Sequence, residues 1–367
     1  MVRKLAEHST SRWEHGSEFH WIDYEAAANK PPWHSGASFF GCGRDALRAL
    51  LEHGQTSRGW KRLWIPSYFC QEVVASMLST GIAGAIYRSG PLNNLPDIPL
   101  RSLETGDVVL RINLFGLKAA DPVPEIRKPG VEIIENHTHD PWSHWAYSSR
   151  ADWCIVSLRK SLPIPDGGAV WSPLGNSLPL TPPTTSERKE ASLNKLAGML
   201  LKSLYLKGHD IDKDVFRQLA VSGENRMATG DPCGMPDWTL NMLPTFPIDL
   251  WREQRRANHE VLSTAMHGVP WLTVLQPDDA VKSCPYSAII LFDSVERRAQ
   301  VRNGLIASSV YPTILWSLDD AVLCGISDKD YDFSRRMLSI HCDMRYQGED
   351  MERVATIIRQ SGEDCRG

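Results

Sequence analysis

The sequence predicts an α/β fold: a large, doubly wound, mostly parallel sheet domain followed by a smaller C-terminal α+β domain. Three observations predict it. Short apolar runs bounded by turn residues alternate with stretches of helical apolar spacing, the pattern of a parallel sheet covered on both faces. At 367 residues the chain exceeds the roughly 250–300 residues at which a single core stops growing. A Pro/Gly-rich stretch, "GDPCGMPDWTLNMLPTFP", then marks a crossing into a second unit.

The elements follow in order. Residues 1–35 are polar and rich in Trp and His without periodicity, an arm or irregular lead-in. The large domain is expected over 36–245. "SGASFFG" reads as a strand and "GRDALRALLEHG" as a helix stopped by Gly54. "RLWIPSYF" is a strand, and "QEVVASMLSTG" a helix closed by Gly81. "GAIYRSG", "GDVVLRINLFG", "GVEIIEN" and "ADWCIVSL" are further short apolar runs, and from about Thr185 to Arg226 the spacing is helical. The small domain is expected over 246–367. Its helices are "IDLWREQRRANHEVLSTAM", "SVERRAQVRNGLIAS" and "GEDMERVATIIRQ", and its strands "YSAIILF" and "VYPTILW".

Composition excludes several classes. Hydrophobic residues make up 42% and charged residues 23%, with a formal charge of -4, so no basic footprint for nucleic acid exists. No apolar run approaches the roughly 20 residues that span a bilayer, and the N-terminal residues lack an apolar signal core. A cytoplasmic enzyme is the expectation. The eight cysteines include no C-x-x-C pair, which points to reduced, structural thiols rather than a zinc knuckle or redox dithiol.

In open α/β sheets, ligands bind at the carboxyl ends of the strands. "ADWCIVSLRKSLPIPDGGAVW" places Ser157 and Lys160 just past such an end, ahead of Gly167 and Gly168. A lysine there is either solvated or desolvated enough to lower its pKa and act as a nucleophile toward aldehydes, pyridoxal phosphate included. "FFGCGRDAL" supplies strand, Gly41-Cys42-Gly43 and helix, the shape that offers backbone N–H groups to a phosphate. Two glycines in an α/β turn are common, so this turn is no proof alone. The Ser157 hydroxyl is placed to join the same phosphate.

These residues resemble the DegT/StrS-type aminotransferases, a branch of the fold-type I pyridoxal-phosphate enzymes. The resemblance runs in order through "GCGRDALRALL", "WIPSYFCQEVV", "EIIENHTHDPWS", "SLRKSLPIPDGG", "YPTILW" and "LSIHCDMRYQGEDMERV", covering about residues 36–360. It implies pyridoxal 5'-phosphate as cofactor, carried by Lys160, with Ser157, Gly43 and Arg44 at its phosphate. It also implies His139 by the ring or its hydroxyl, Tyr68 or Phe69 stacking on the ring, and a homodimer with shared active sites. Asn258 is similar to a position that reaches the partner's site.

The stretch "VEIIENHTHDPWSHW" leaves readings open. Alternation on a strand would put His137 and His139 on one face, where they could grip a metal. No further ligand completes that site from sequence. Contact with the cofactor is the reading preferred here, a plain structural role the other. Within this segment Asn136 stands where the family has an aspartate that pairs with the pyridine nitrogen. An amide cannot hold that proton electrostatically, which weakens the ring as an electron sink. Three readings follow. One is an aminotransferase with a weakened sink helped by Asp140 or Glu135. The others are an enzyme with non-transaminase chemistry, and a catalytically silent protein that keeps the fold as a scaffold. The resemblance also implies a small keto or amino substrate, a nucleotide sugar or a natural-product intermediate. Arg159 and Arg345 are candidates for its anionic groups, or are ordinary ion pairs. The tract from Asn176 to Ser186 reads as a loop or a lid, and Trp142 and Trp145 as site walls or core.

Overall fold

The computed structural model describes residues 11–27, 36–92, 95–121 and 128–363. Part of the expected arm and Cys365 lie outside these. The apolar runs form the strands β2 (Ser38–Phe40), β3 (Arg62–Pro66), β4 (Ala83–Tyr87), β5 (Asp107–Ile112), β6 (Glu132–Asn136), β7 (Trp153–Ser157) and β8 (Gly168–Trp171). They join in one seven-stranded sheet of order β2-β8-β7-β6-β5-β3-β4. The pairs from β4 to β7 are parallel, and β8 runs against both its neighbours.

Alternation divides the side chains between two faces. Ile134, Trp153, Ile155 and Val170 pack on one side with Leu47, Leu50 and Leu51 of α1 (Gly43–Ser57) and Val74 and Met77 of α2 (Gln71–Leu78). Ile133, Cys154, Val156, Ala169 and Trp171 pack on the other with Trp251 of α7 (Ile248–Met266). Each fully buried side chain of this size stabilises the fold by about 1.5–3 kcal/mol. A short helix, α3 (His144–Ser148), precedes β7.

The helical region beyond β8 is a hairpin of α4 (Ser186–Leu206) and α5 (Lys213–Ala228), capped by Thr185 and Asp212. A Cβ at Gly223 would lie 2.4 Å from Lys195 Cγ and 2.7 Å from the Ala191 carbonyl oxygen. Glycine there lets the two helices close tightly. After α6 (Asp237–Met242), α7 leads to a three-stranded antiparallel sheet of β9 (Leu272–Val274), β10 (Ala288–Phe292) and β12 (Met337–Ile340). Residues of α7, α8 (Val295–Ala307) and α10 (Gly348–Glu363) share its core, and α9 (Asp328–Arg336) precedes β12.

One expectation needs correction. "VYPTILW" is a strand only at β11 (Val310–Tyr311), because Pro312 has no N–H to give a ladder; beyond it Thr313 makes an isolated bridge to Ser339. The lead-in is irregular but tied down. β1 (His15–Gly16) pairs with β11, Trp13 Nε1 donates to Asp350 at 2.6 Å, and Arg345 reaches the Ser17 and Glu18 carbonyls. Among the described residues no helix is long and apolar enough to cross a membrane.

Candidate active site

The carboxyl ends of β2, β5, β6 and β7 open on one cavity of about 130 Å³, lined by Gly43, Arg44, Phe69, Asn136, His139, Ser157, Arg159 and Lys160 among others. Most residues singled out from the sequence therefore converge, and the reason is local. Asn136 and Ser157 end adjacent parallel strands and share the sheet face that α1 covers. α1 starts beside Ser157 because a glycine stands at the approach. A Cβ on Gly43 would lie 2.6 Å from Ser157 Cβ, and one on Gly168 would lie 2.4 Å from the Cys42 carbonyl oxygen.

Lys160 is reached from the cavity yet walled by protein. Desolvation, then the Arg159 charge, lower its pKa to about 8. His139 is buried, and its Nδ1 accepts the Phe115 N–H at 2.9 Å, which leaves its proton on Nε2. Its ring lies within 23° of the planes of both Phe115 and Trp316. Burial, then Lys160, press its pKa down to about 3, so it is neutral at ordinary pH. Asn136 Oδ1 accepts the Thr138 N–H at 3.0 Å on one of its two lone pairs, which fixes the amide at the cavity wall. Thr138 also receives the Ser157 N–H on its hydroxyl, locking the ends of β6 and β7 together.

The donors present fit a phosphate. The N-cap of α1, Cys42, is extended and no side chain caps the helix, so the first turn offers its amides. Arg44 and Arg159 stand beside it, and the buried Arg159 Nε has no hydrogen-bond partner.

Other expected residues lie elsewhere. Tyr68 is fully buried among Phe115, Phe333 and Trp316. Its hydroxyl donates to the Leu315 carbonyl and accepts from the Trp316 N–H at 3.2 Å, so it holds the segment bearing Trp316 while Phe69 faces the cavity. Asn258 is buried on α7, its Nδ2 facing the carbonyls of Cys342, Asp343 and Tyr346. Arg345 grips Asp343 bidentately at 2.8 Å and lies over Phe19, away from the cavity lining. The Asn176–Ser186 tract has no regular structure before the start of α4, and none of its residues lines the cavity. Trp142 and Trp145 are not in the lining either; Trp145 packs edge-on to His137.

The two histidines are split because β6 ends at Asn136 and strand alternation stops before them. His137 lies on the opposite side of the sheet, where its Nε2 meets Glu135 Oε2 at 3.0 Å. Glu135, His137 and Cys154 are all buried, with one donor atom each within 4.8 Å of the others. Asp140 turns to Arg252 and to the Cys284 N–H. Neither Glu135 nor Asp140 reaches the cavity, so neither can assist Asn136. The cysteines among the described residues are free, and Cys42 and Cys70, one buried and one packed against the core, also line the cavity.

Sequence reasoning missed Trp316, Tyr286 and Glu224, all in the lining. Trp316 sits within the quoted "YPTILW" run, whereas nothing in the helix pattern around Glu224 distinguishes it from a solvated charge.

No family model matches the chain and no curated protein matches it by sequence. Solved structures do match. An aminotransferase of Helicobacter pylori involved in pseudoaminic acid biosynthesis superposes at a TM-score of 0.61 and 13% identity, covering 96% of this chain and 100% of its own. The chain has the fold of the sugar aminotransferases. The aminotransferase TlmJ of Streptoalloteichus hindustanus matches at 0.59 and 18% identity, covering 90% and 87%. A putative sugar aminotransferase of Streptococcus pneumoniae, in its PLP form, matches at 0.57 and 10% identity, covering 90% and 88%.

Proposed function

We propose that this chain is a pyridoxal-phosphate-dependent transferase of the aminotransferase type, acting on a small keto or amino substrate with a nucleotide sugar as its class. The homodimer implied by the sequence belongs to the same reading. One observation carries it: a lysine of lowered pKa, Lys160, opens into the same cavity as Ser157 and the uncapped start of α1. The solved structures that share the fold include one in a PLP form.

When bound, pyridoxal phosphate supplies an aldehyde carbon that exchanges amines and an electron-withdrawing ring. The protein's own part follows from its groups. Lys160 Nζ is uncharged in a sizeable fraction near pH 8 and is therefore nucleophilic. Ser157, the Gly43 and Arg44 amides and the Arg159 guanidinium would hold the phosphate. His139, neutral and fixed by the Phe115 N–H, offers a flat apolar face and one Nε2 donor. With its nitrogen uncharged, Lys160 could also take up and return a proton within the cavity.

Asn136 bears on the type of chemistry. Asn136 would offer the ring nitrogen an uncharged amide, which does not hold a proton there electrostatically. This favours, as a second reading, chemistry that limits carbanion character. It also marks transamination here as slower than with a carboxylate.

The test is spectroscopic. Purified protein titrated with pyridoxal phosphate should develop a visible band, and Lys160→Ala should lose it while remaining folded by circular dichroism. A native protein that binds without a band, or an alanine variant that keeps the band, would remove Lys160 from this role. With no binding at all, the scaffold reading is left.

A further inference from the structure

Three cations meet one carboxylate in the cavity. Glu224 Oε1 accepts from Arg159 Nη2 at 2.7 Å and from Arg44 Nη2 at 3.4 Å, while Oε2 accepts from Lys195 Nζ at 2.7 Å. The arrangement is built rather than incidental. Lys195 comes from α4 and Glu224 from α5, and the bare Gly223 beside it is what lets the hairpin close to this distance. Burial pushes the Glu224 carboxyl up, but Arg159 and then Lys195 outweigh it and hold the group well below the usual carboxylate range. The cluster still has donor capacity to spare, since the buried Arg159 Nε has no partner. It borders Gly43 and Ser157, where the phosphate is read to sit.

We propose that Glu224 is a resident counter-anion that shares the Arg44–Arg159–Lys195 cluster with the cofactor's phosphate and sets cofactor affinity by competing for it. The inference rests on the functional reading above. Without a phosphate, the carboxylate offsets the mutual repulsion of three largely buried cations. When a phosphate dianion enters, the same carboxylate repels it and withholds hydrogen bonds it would otherwise receive. Glu224 thereby makes retention of the phosphate reversible; it also raises the Lys160 pKa, an effect shared by ligands with and without the phosphate, so the competition shows as the difference between the two.

The test compares native protein with Glu224→Gln, which keeps the size and removes the charge. Each is titrated with pyridoxal phosphate and with pyridoxal, which lacks the phosphate, by the visible band. Loss of one repelling charge should tighten pyridoxal phosphate by about tenfold or more beyond any change for pyridoxal, which carries the Lys160 effect alone. Glu190→Gln makes the same charge change on the exposed part of α4 and should shift neither ligand; a matching shift would overturn the local argument. Unchanged or weakened pyridoxal phosphate binding in Glu224→Gln would overturn it too, and would instead make Glu224 a support for the arginines. If no band forms with any protein, the functional reading fails. Inorganic phosphate then decides the competition alone, by raising the melting temperature of Glu224→Gln more than that of native protein; an equal rise overturns it. Should Glu224→Gln fold poorly, Glu224→Asp withdraws the charge by one methylene and should give a smaller tightening of the same sign.

Discussion

Replacing Asn136 by aspartate should accelerate amine exchange. On the proposed reading the amide would give the cofactor ring a neutral hydrogen bond, while a carboxylate would give a charged one and hold the ring nitrogen protonated. Neutral hydrogen bonds contribute about 0.5–1.5 kcal/mol and charged ones about 1.5–3. The difference of about 1–2 kcal/mol corresponds to roughly five- to thirtyfold in rate. The structure makes the comparison clean. Asn136 Oδ1 already accepts the Thr138 N–H, a bond that an aspartate oxygen can retain. The neighbouring carboxylates Glu135 and Asp140 are turned to His137 and Arg252 and cannot already supply the charge. The assay is single-turnover bleaching of the cofactor band by excess amino donor in native and Asn136→Asp proteins. A variant that binds the cofactor normally yet bleaches no faster would refute the reasoning, because the ring nitrogen would then not face Asn136.

Other outcomes follow from the same geometry. Capture of pyridoxal phosphate should accelerate as pH rises through about 8, where Lys160 loses its proton, and level off above; pre-steady-state band formation against pH checks it, and a midpoint near 10.5 would show an unperturbed lysine. Gly43→Ala forces a Cβ to 2.6 Å from Ser157 Cβ and should cost about 1–3 kcal/mol of stability, measured by denaturant unfolding, together with a large loss of cofactor affinity. Asn258→Ala removes a buried amide that faces the carbonyls of Cys342, Asp343 and Tyr346 and should destabilise by about 2–4 kcal/mol. Its cofactor band should survive, and a loss of the band at unchanged stability would return Asn258 to the active site.

The sequence by itself determined the alternation of strands and helices, the turn at Gly41-Cys42-Gly43 and the position of Lys160 past a buried strand. Each is a local property: side-chain period, the conformational freedom of glycine, and the apolar run before the lysine. Pairing order put those strand ends together, so Asn136, Ser157 and Lys160, separate in sequence, line one cavity. Only the tertiary structure decided which aromatic faces it. Tyr68 and Phe69 are adjacent in sequence, and their assignment depends on the Leu315–Trp316 segment packing on Tyr68. The same holds for charges. Arg345 and Arg159 look alike in sequence, but Asp343, two residues away from Arg345, takes one, and Glu224 on a distant helix takes the other. The physical reason is range: hydrogen-bond and charge partners are set by which elements pack together, and no local pattern encodes that packing for a single side chain.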